Sequence, residues 1–167
     1  VTVSLVLTVI GPDRPGLVEA LSQTVADHDG NWLDSRMANM AGQFAGILRV
    51  NVPRERADAL AETLRKLSPD GLHVVVASSD AEPSDSGSRR LKLDLLGSDR
   101  PGIIRDISRA LASRGVNVHE LSTTVESAPM SGEQLFRAHA ILQVSADFEL
   151  EELRSSLEAL ANELMVD

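Results

Sequence analysis

Two stretches of this chain place an acid, a base, a proline and a glycine in the same order. Gly11-Pro12-Asp13-Arg14-Pro15-Gly16 returns as Gly97-Ser98-Asp99-Arg100-Pro101-Gly102, a constant offset of 86 residues (97 less 11). Each copy is followed by a helical pattern, so each loop delivers a helix start with unpaired N–H groups and the positive end of a macrodipole, which favour an anion such as a carboxylate. Gly16 and Gly102 put no side chain in the way of a close backbone approach. Asp13 and Asp99 offer a counter-charge for an ammonium group, with Arg14 and Arg100 beside them. An amino acid carries both charges. The same residues also suit a tight strand-to-helix turn in which the Asp merely caps the helix, and both readings stand on the sequence.

The repeat continues past the loop. Across Gly11 to Asn31 the copies share eight identities without a gap, the last being Asn31 and Asn117, which open the strand after the helix. An amide both donates and accepts, so an asparagine expected next to the loop can bridge the two ends of a small zwitterion. It also suits a left-handed turn residue after a helix.

The elements around these residues follow from periodicity. Val3 to Ile10 is a β-branched run, and Leu91 to Leu95 alternates apolar with charged residues, so each copy opens on a strand. Leu17, Val18, Leu21, Val25 and Ile103, Ile104, Ile107, Leu111 then keep a helical period, with Pro15 and Pro101 expected in the first helical turn. Each helix is expected to stop at a glycine, Gly30 or Gly115. A hairpin follows: Asn31 to Met40 and Phe44 to Val52 around Ala41-Gly42, and Asn117 to Glu126 and Leu135 to Val144 around a longer loop. Second helices carry Leu60, Leu64, Leu67 and Leu153, Leu157, Leu160, Leu164, and Leu72 to Ala77 closes copy one.

The order β-α-β-β-α-β lets two helices cover one face of a four-stranded antiparallel sheet, an α+β, ferredoxin-like plan built twice. The expected domains are 1–78 and 90–167, with a flexible Ser/Asp/Glu/Pro-rich linker at 79–89. Only Met165-Val166-Asp167 remain after the last helical pattern, so the final strand of the second domain is expected short or missing.

Composition removes several function classes. The net charge is −9, with three Phe, one Trp and no Tyr among 167 residues, so neither phosphate neutralisation nor base stacking is well provided for. An RNA-recognition fold shares this element order, but its strands would offer only Trp32, Phe44 and Phe136. No apolar run approaches the roughly 20 residues of a membrane span, and no signal peptide is visible. The absence of cysteine excludes disulfides and thiolate metal sites and is compatible with a cytoplasmic protein. His28, His73, His119 and His139 have no metal-ligand spacing, and no nucleophile elbow or P-loop occurs, so neither an enzyme nor a bound cofactor is expected. Because it starts at Val1 rather than Met, the sequence need not be a complete gene product.

Gly-x-Asp-Arg-Pro-Gly after a first strand, with Asn opening the second, resembles the ACT domain, a module that senses small molecules, mostly amino acids. More narrowly, Gly30 to Ala38 running to Gly42-Gln-Phe-Ala-Gly46, with Ala128-Pro-Met-Ser-Gly-Glu133 and Leu135-Phe136, is similar to the glycine cleavage system transcriptional repressor family of tandem ACT proteins. The resemblance implies a regulator without catalytic or DNA-binding domains, which responds to an amino acid such as glycine and works through a DNA-binding activator protein. It implies ACT units paired side by side, a homo-oligomer, and a ligand held between the first loop of one unit and the second strand of its neighbour. The matching positions are Asp13, Arg14, Gly16 and Asn31, and Asp99, Arg100, Gly102 and Asn117. The alternative is the allosteric portion of an enzyme, since similar units precede the catalytic domains of phosphoserine phosphatases and formyltetrahydrofolate deformylases.

Overall fold

A computed structural model describes residues 1–67, 71–79 and 87–167. The chain divides into two compact units, Val1–Ser84 and Asp85–Asp167. Unit one runs β1 (Thr2–Pro12), α1 (Leu17–Asp27), β2 (Asn31–Met40), β3 (Gln43–Pro53), α2 (Arg54–Arg65) and β4 (His73–Ser78); unit two runs β5 (Ser88–Ser98), α3 (Ile103–Ala112), β6 (Asn117–Ser127), β7 (Gln134–Ser145), α4 (Leu150–Glu158) and β8 (Glu163–Val166). Each unit is a four-stranded antiparallel sheet, in the order β2-β3-β1-β4 or β6-β7-β5-β8. This is the doubled β-α-β-β-α-β plan expected from the sequence.

Alternation decides which face is dry. Leu5, Leu7 and Val9 of β1 and Leu48, Val50 and Val52 of β3 are buried against the helices, which return Leu17, Leu21, Val25, Leu60 and Leu64. Burying each such side chain contributes about 1.5–3 kcal/mol. Unit two repeats the scheme with Leu91, Leu93 and Leu95 under Ile103, Ile107, Leu111, Leu153 and Leu157.

One device ties the helices together in both units with different chemistry. His28, at the C-cap of α1, contacts the Thr24 carbonyl at 2.8 Å through Nδ1 and the Thr63 hydroxyl of α2 at 3.3 Å through Nε2. The equivalent Arg114 donates to Glu152 at 3.0 Å and to Ser156 at 2.6 Å, both on α4.

Four local readings need correction. Pro15 and Pro101 precede the helices: Arg100 to Ile103 is a turn closed by the Ile103 N–H on the Arg100 carbonyl at 3.2 Å, with Gly102 at φ 87°, ψ 3°, the type II pattern of Pro then Gly. Gly30 is not the left-handed stop of α1; Asp29 (φ 58°) is, matching Gly115 (φ 70°) at the offset of 86. Gly30 instead donates to Val25 O at 2.9 Å, as Val116 does to Leu111 O at 3.0 Å, and a Cβ on Gly30 would lie 2.7 Å from Val25 Cγ1.

The last helix does not carry Leu160 and Leu164. α4 ends at Glu158, and Leu164 lies in β8, which pairs with Leu93 to Leu96 of β5. The edge of β5 needs partners for its backbone groups, and this short strand satisfies them, extended by Asn162 N–H to Leu96 O at 2.8 Å and Lys92 N–H to Asp167 O at 2.7 Å. Of the linker expected at 79–89, residues 80–86 lie outside the described residues, while Ser88 and Arg89 already belong to β5.

Candidate functional site

Each Asp-Arg-Pro-Gly loop hangs between the end of a first strand and the neighbouring hairpin. In unit one Ala41 (φ 51°) and Gly42 (φ 82°) form a two-residue turn of left-handed residues, the geometry that matches strand twist. The Asp13 N–H donates to the Gly42 carbonyl at 2.9 Å, and the Asn39 amide donates to the Asp13 carboxylate. Unit two makes the same backbone tie from Asp99 N–H to Gln134 O at 2.9 Å, and Ser98 donates to Glu133 at 2.9 Å. The loops are therefore held by their hairpins.

Both helices start at a left-handed glycine, Gly16 at φ 91° and Gly102 at φ 87°, without a side-chain cap. Asp13 thus does not cap α1; its carboxylate is turned to Asn39. The N–H groups of Val18 and Glu19, and of Ile104 and Arg105, have no partner among the described residues. These donors and the helix dipole present partial positive charge to whatever occupies the loop.

The two copies differ in their side-chain charge. Arg100 lies 2.7 Å from Asp106 Oδ2, and Arg105 Nε lies 3.3 Å from Asp106 Oδ1. The Arg100 hydrogen bond, ahead of the opposing desolvation and the Arg105 contact, holds the Asp106 carboxyl below the usual carboxylate range. Arg105 also reaches over the loop, where a Cβ on Gly102 would stand 2.8 Å from its Nη2. Unit one has Glu19 and Ala20 at the corresponding positions, so its loop cannot build this cluster.

Asn31 and Asn117 are not next to these loops. β2 meets the loop end of the sheet at Met40, opposite Gln43 and hence Pro12, whereas Asn31 faces Asn51, itself opposite Ser4 at the other end. Nine residue steps of strand separate the two ends, about 30 Å. Asn117, opposite Gln143, is placed likewise. Asp13, Arg14 and Gly16 share one loop, as do Asp99, Arg100 and Gly102, and each loop lies at the opposite end of the sheet from the asparagine of its own unit. The sequence reading missed Asn39, because its counterpart at the offset of 86 is Val125 and the repeat does not flag it.

Apolar side chains stay exposed on both units. Val18 and Ile104 project from the first turns of α1 and α3, and Leu121 and Val125 stand on the helix-side face of β6, half exposed. Among the described residues no group of three or more His, Asp or Glu side chains is placed to hold a metal ion, and no helix is long and apolar enough to cross a membrane. His139 pairs instead with Asp94 across β5 and β7.

The family is decided by matches to both halves: ACT-domain models cover residues 4–76 and residues 86–163. The chain is a tandem ACT-domain protein. A solved structure of an unknown protein from Galdieria sulphuraria superimposes on all of it with a TM-score of 0.84 at 28% identity, covering 97% of that chain. The glycine cleavage system transcriptional repressor of Escherichia coli is 24% identical over 85% of this ACT protein and 73% of its own length. Phosphoserine phosphatase SerB2 of Mycobacterium tuberculosis is 27% identical over 80% of this ACT protein, which spans only 33% of that enzyme.

Proposed function

We propose that this ACT protein is an amino-acid-responsive, cytoplasmic regulator that catalyses nothing itself and acts by protein contact on a DNA-binding transcriptional activator. The observation that carries the reading is the pair of uncapped helix starts at Gly16 and Gly102, each beside an aspartate and an arginine. The ligand is a small amino acid such as glycine, its carboxylate on the helix N–H groups. Asp13, Arg14 and Gly16, or Asp99, Arg100 and Gly102, form one wall. Because each asparagine lies a strand length from its own loop, Asn31 or Asn117 must reach the ligand from a neighbouring ACT unit, and a homo-oligomer supplies such neighbours. The exposed Val18, Ile104, Leu121 and Val125 are available for that pairing.

Glycine has five heavy atoms, so at a ceiling of about 1.5 kcal/mol per atom its binding is worth at most about 7–8 kcal/mol, a micromolar dissociation constant at best. Such a ligand reports a metabolite level and dissociates readily. It regulates only by preferring one arrangement of the protein over another. Calorimetric titration with glycine, serine and alanine tests the reading. Saturable binding lost in Asn31→Ala or Asn117→Ala is expected, and no heat and no thermal stabilisation at millimolar ligand would defeat it.

The phosphatase similarity favours a second reading, the allosteric portion of an amino-acid or one-carbon enzyme. A gene whose reading frame continues into a catalytic domain supports it over the free-standing regulator.

A further inference from the structure

On the sheet face away from the helices, unit one has a recess whose lining side chains its sister does not repeat. β2 carries one extra residue between Trp32 and Ser35, where two steps of β3, from Val50 to Leu48, answer three of β2. This bulge locally kinks the strand. Beside it opens a cavity of about 160 Å³ lined by Val6, Asp34, Arg36, Ile47 and Arg49, among others. Arg49 Nη2 stands 2.9 Å from Asp34 Oδ1, which leaves most of the five guanidinium donors and the second carboxylate oxygen for other partners. Val6 and Ile47 make the floor apolar.

The register identifies what stands at these places in unit two. Val6 opposite Arg49 corresponds to Lys92 opposite Ile141, and Thr8 opposite Ile47 to Asp94 opposite His139. Asp34 and Arg36 correspond to Glu120 and Ser122. Both guanidinium groups are therefore gone from the second copy, and both apolar floor positions carry Lys or His. A bulge occurs there too, between Val118 and Glu120, so the chemistry differs on a common backbone.

We propose that this recess is a second amino-acid site, separate from the Asp-Arg-Pro-Gly loops and independent of them, selective for a small α-amino acid with an apolar side chain. Arg36 and Arg49 take the carboxylate, for which the planar guanidinium fork is the matched partner. Asp34 takes the ammonium group, and the side chain lies on Val6 and Ile47. The volume equals that of about five liquid waters, which suits alanine to valine in a site open on one side. Each methylene buried on the floor strengthens binding about fourfold, so valine, with two more, exceeds alanine by about fifteenfold, and glycine binds weakest.

Methyl NMR of the full chain titrated with L-valine, L-alanine and glycine, and with the oxo acid and the amine that each lack one charge of valine, tests the assignment. Saturable shifts of the Val6 and Ile47 methyls with valine are expected, weaker with either analogue. Arg49→Met should weaken valine about tenfold, and Val6→Lys, which installs the residue of unit two, should abolish binding. Both changes lie on the exposed face, and an unchanged circular dichroism melt verifies the fold. The site is overturned if no saturable shift appears at millimolar valine, or if the shifts survive both substitutions. It is overturned equally if they fall only on the methyls of Leu17, Val18, Ile103 and Ile104, next to the two Asp-Arg-Pro-Gly loops, which would support the loop site.

Discussion

Replacing Gly16 isolates the backbone requirement at the start of α1. The residue sits at φ 91°, ψ 0°, and a Cβ added there meets nothing within 4 Å, so any cost comes from conformation alone. An L-residue in the left-handed region costs about 1–2 kcal/mol, less for Asn, whose side chain bonds locally. The stability order is therefore Gly, then Asn, then Ala, then Val. Trp32 is the chain's single tryptophan and packs against the core of unit one, so its fluorescence in a urea titration reads the affected unit. With a slope of about 2 kcal/mol per molar urea, Gly16→Ala should move the midpoint down by about 0.5–1 M at unchanged slope. An unmoved midpoint for Ala and Val alike would refute a left-handed requirement at this turn. A larger loss for Asn than for Ala would refute its conformational origin.

Two further outcomes follow from named geometry. Ala41 holds φ 51° in the β2–β3 turn, so Ala41→Asn, giving the favoured Asn-Gly pair, should raise stability by about 1 kcal/mol, read by the same Trp32 titration. Asp106 has a folded pKa below its unfolded one, so its ionised form adds stability above the ordinary carboxylate range, and that increment is lost as pH falls through the lowered value. Wild type and Asp106→Asn should accordingly differ in melting temperature at neutral pH and converge in acid, with high salt shrinking the neutral difference.

Most of the fold was legible because burial imposes short periods. The alternation of Leu5, Leu7 and Val9 and the helical spacing of Leu17, Leu21 and Val25 each announce one face. Leu160 and Leu164 misled because they continue the spacing of Leu153 and Leu157, and spacing cannot say where a sheet edge captures the chain. Gly30 misled for a similar reason: a glycine after a helix signals a left-handed stop, but here Asp29 takes that conformation and Gly30 clears Val25. At the loops the backbone chemistry was readable and the distances were not. Asn31 follows a helix that carries the chain the length of the sheet, and Arg100 meets Asp106 six residues on, outside any helical side-chain pairing rule. The recess beside the bulge depends on a register slip that no residue type reports.

That extra residue falls at the same place in both halves, so the bulge belongs to the backbone the two units have in common. The dented edge strand is thus a shared frame, and its side chains decide what the dent can hold. Substituting five positions of unit two, Lys92, Glu120, Ser122, His139 and Ile141, with their unit-one counterparts is therefore the shortest route to transplanting the recess.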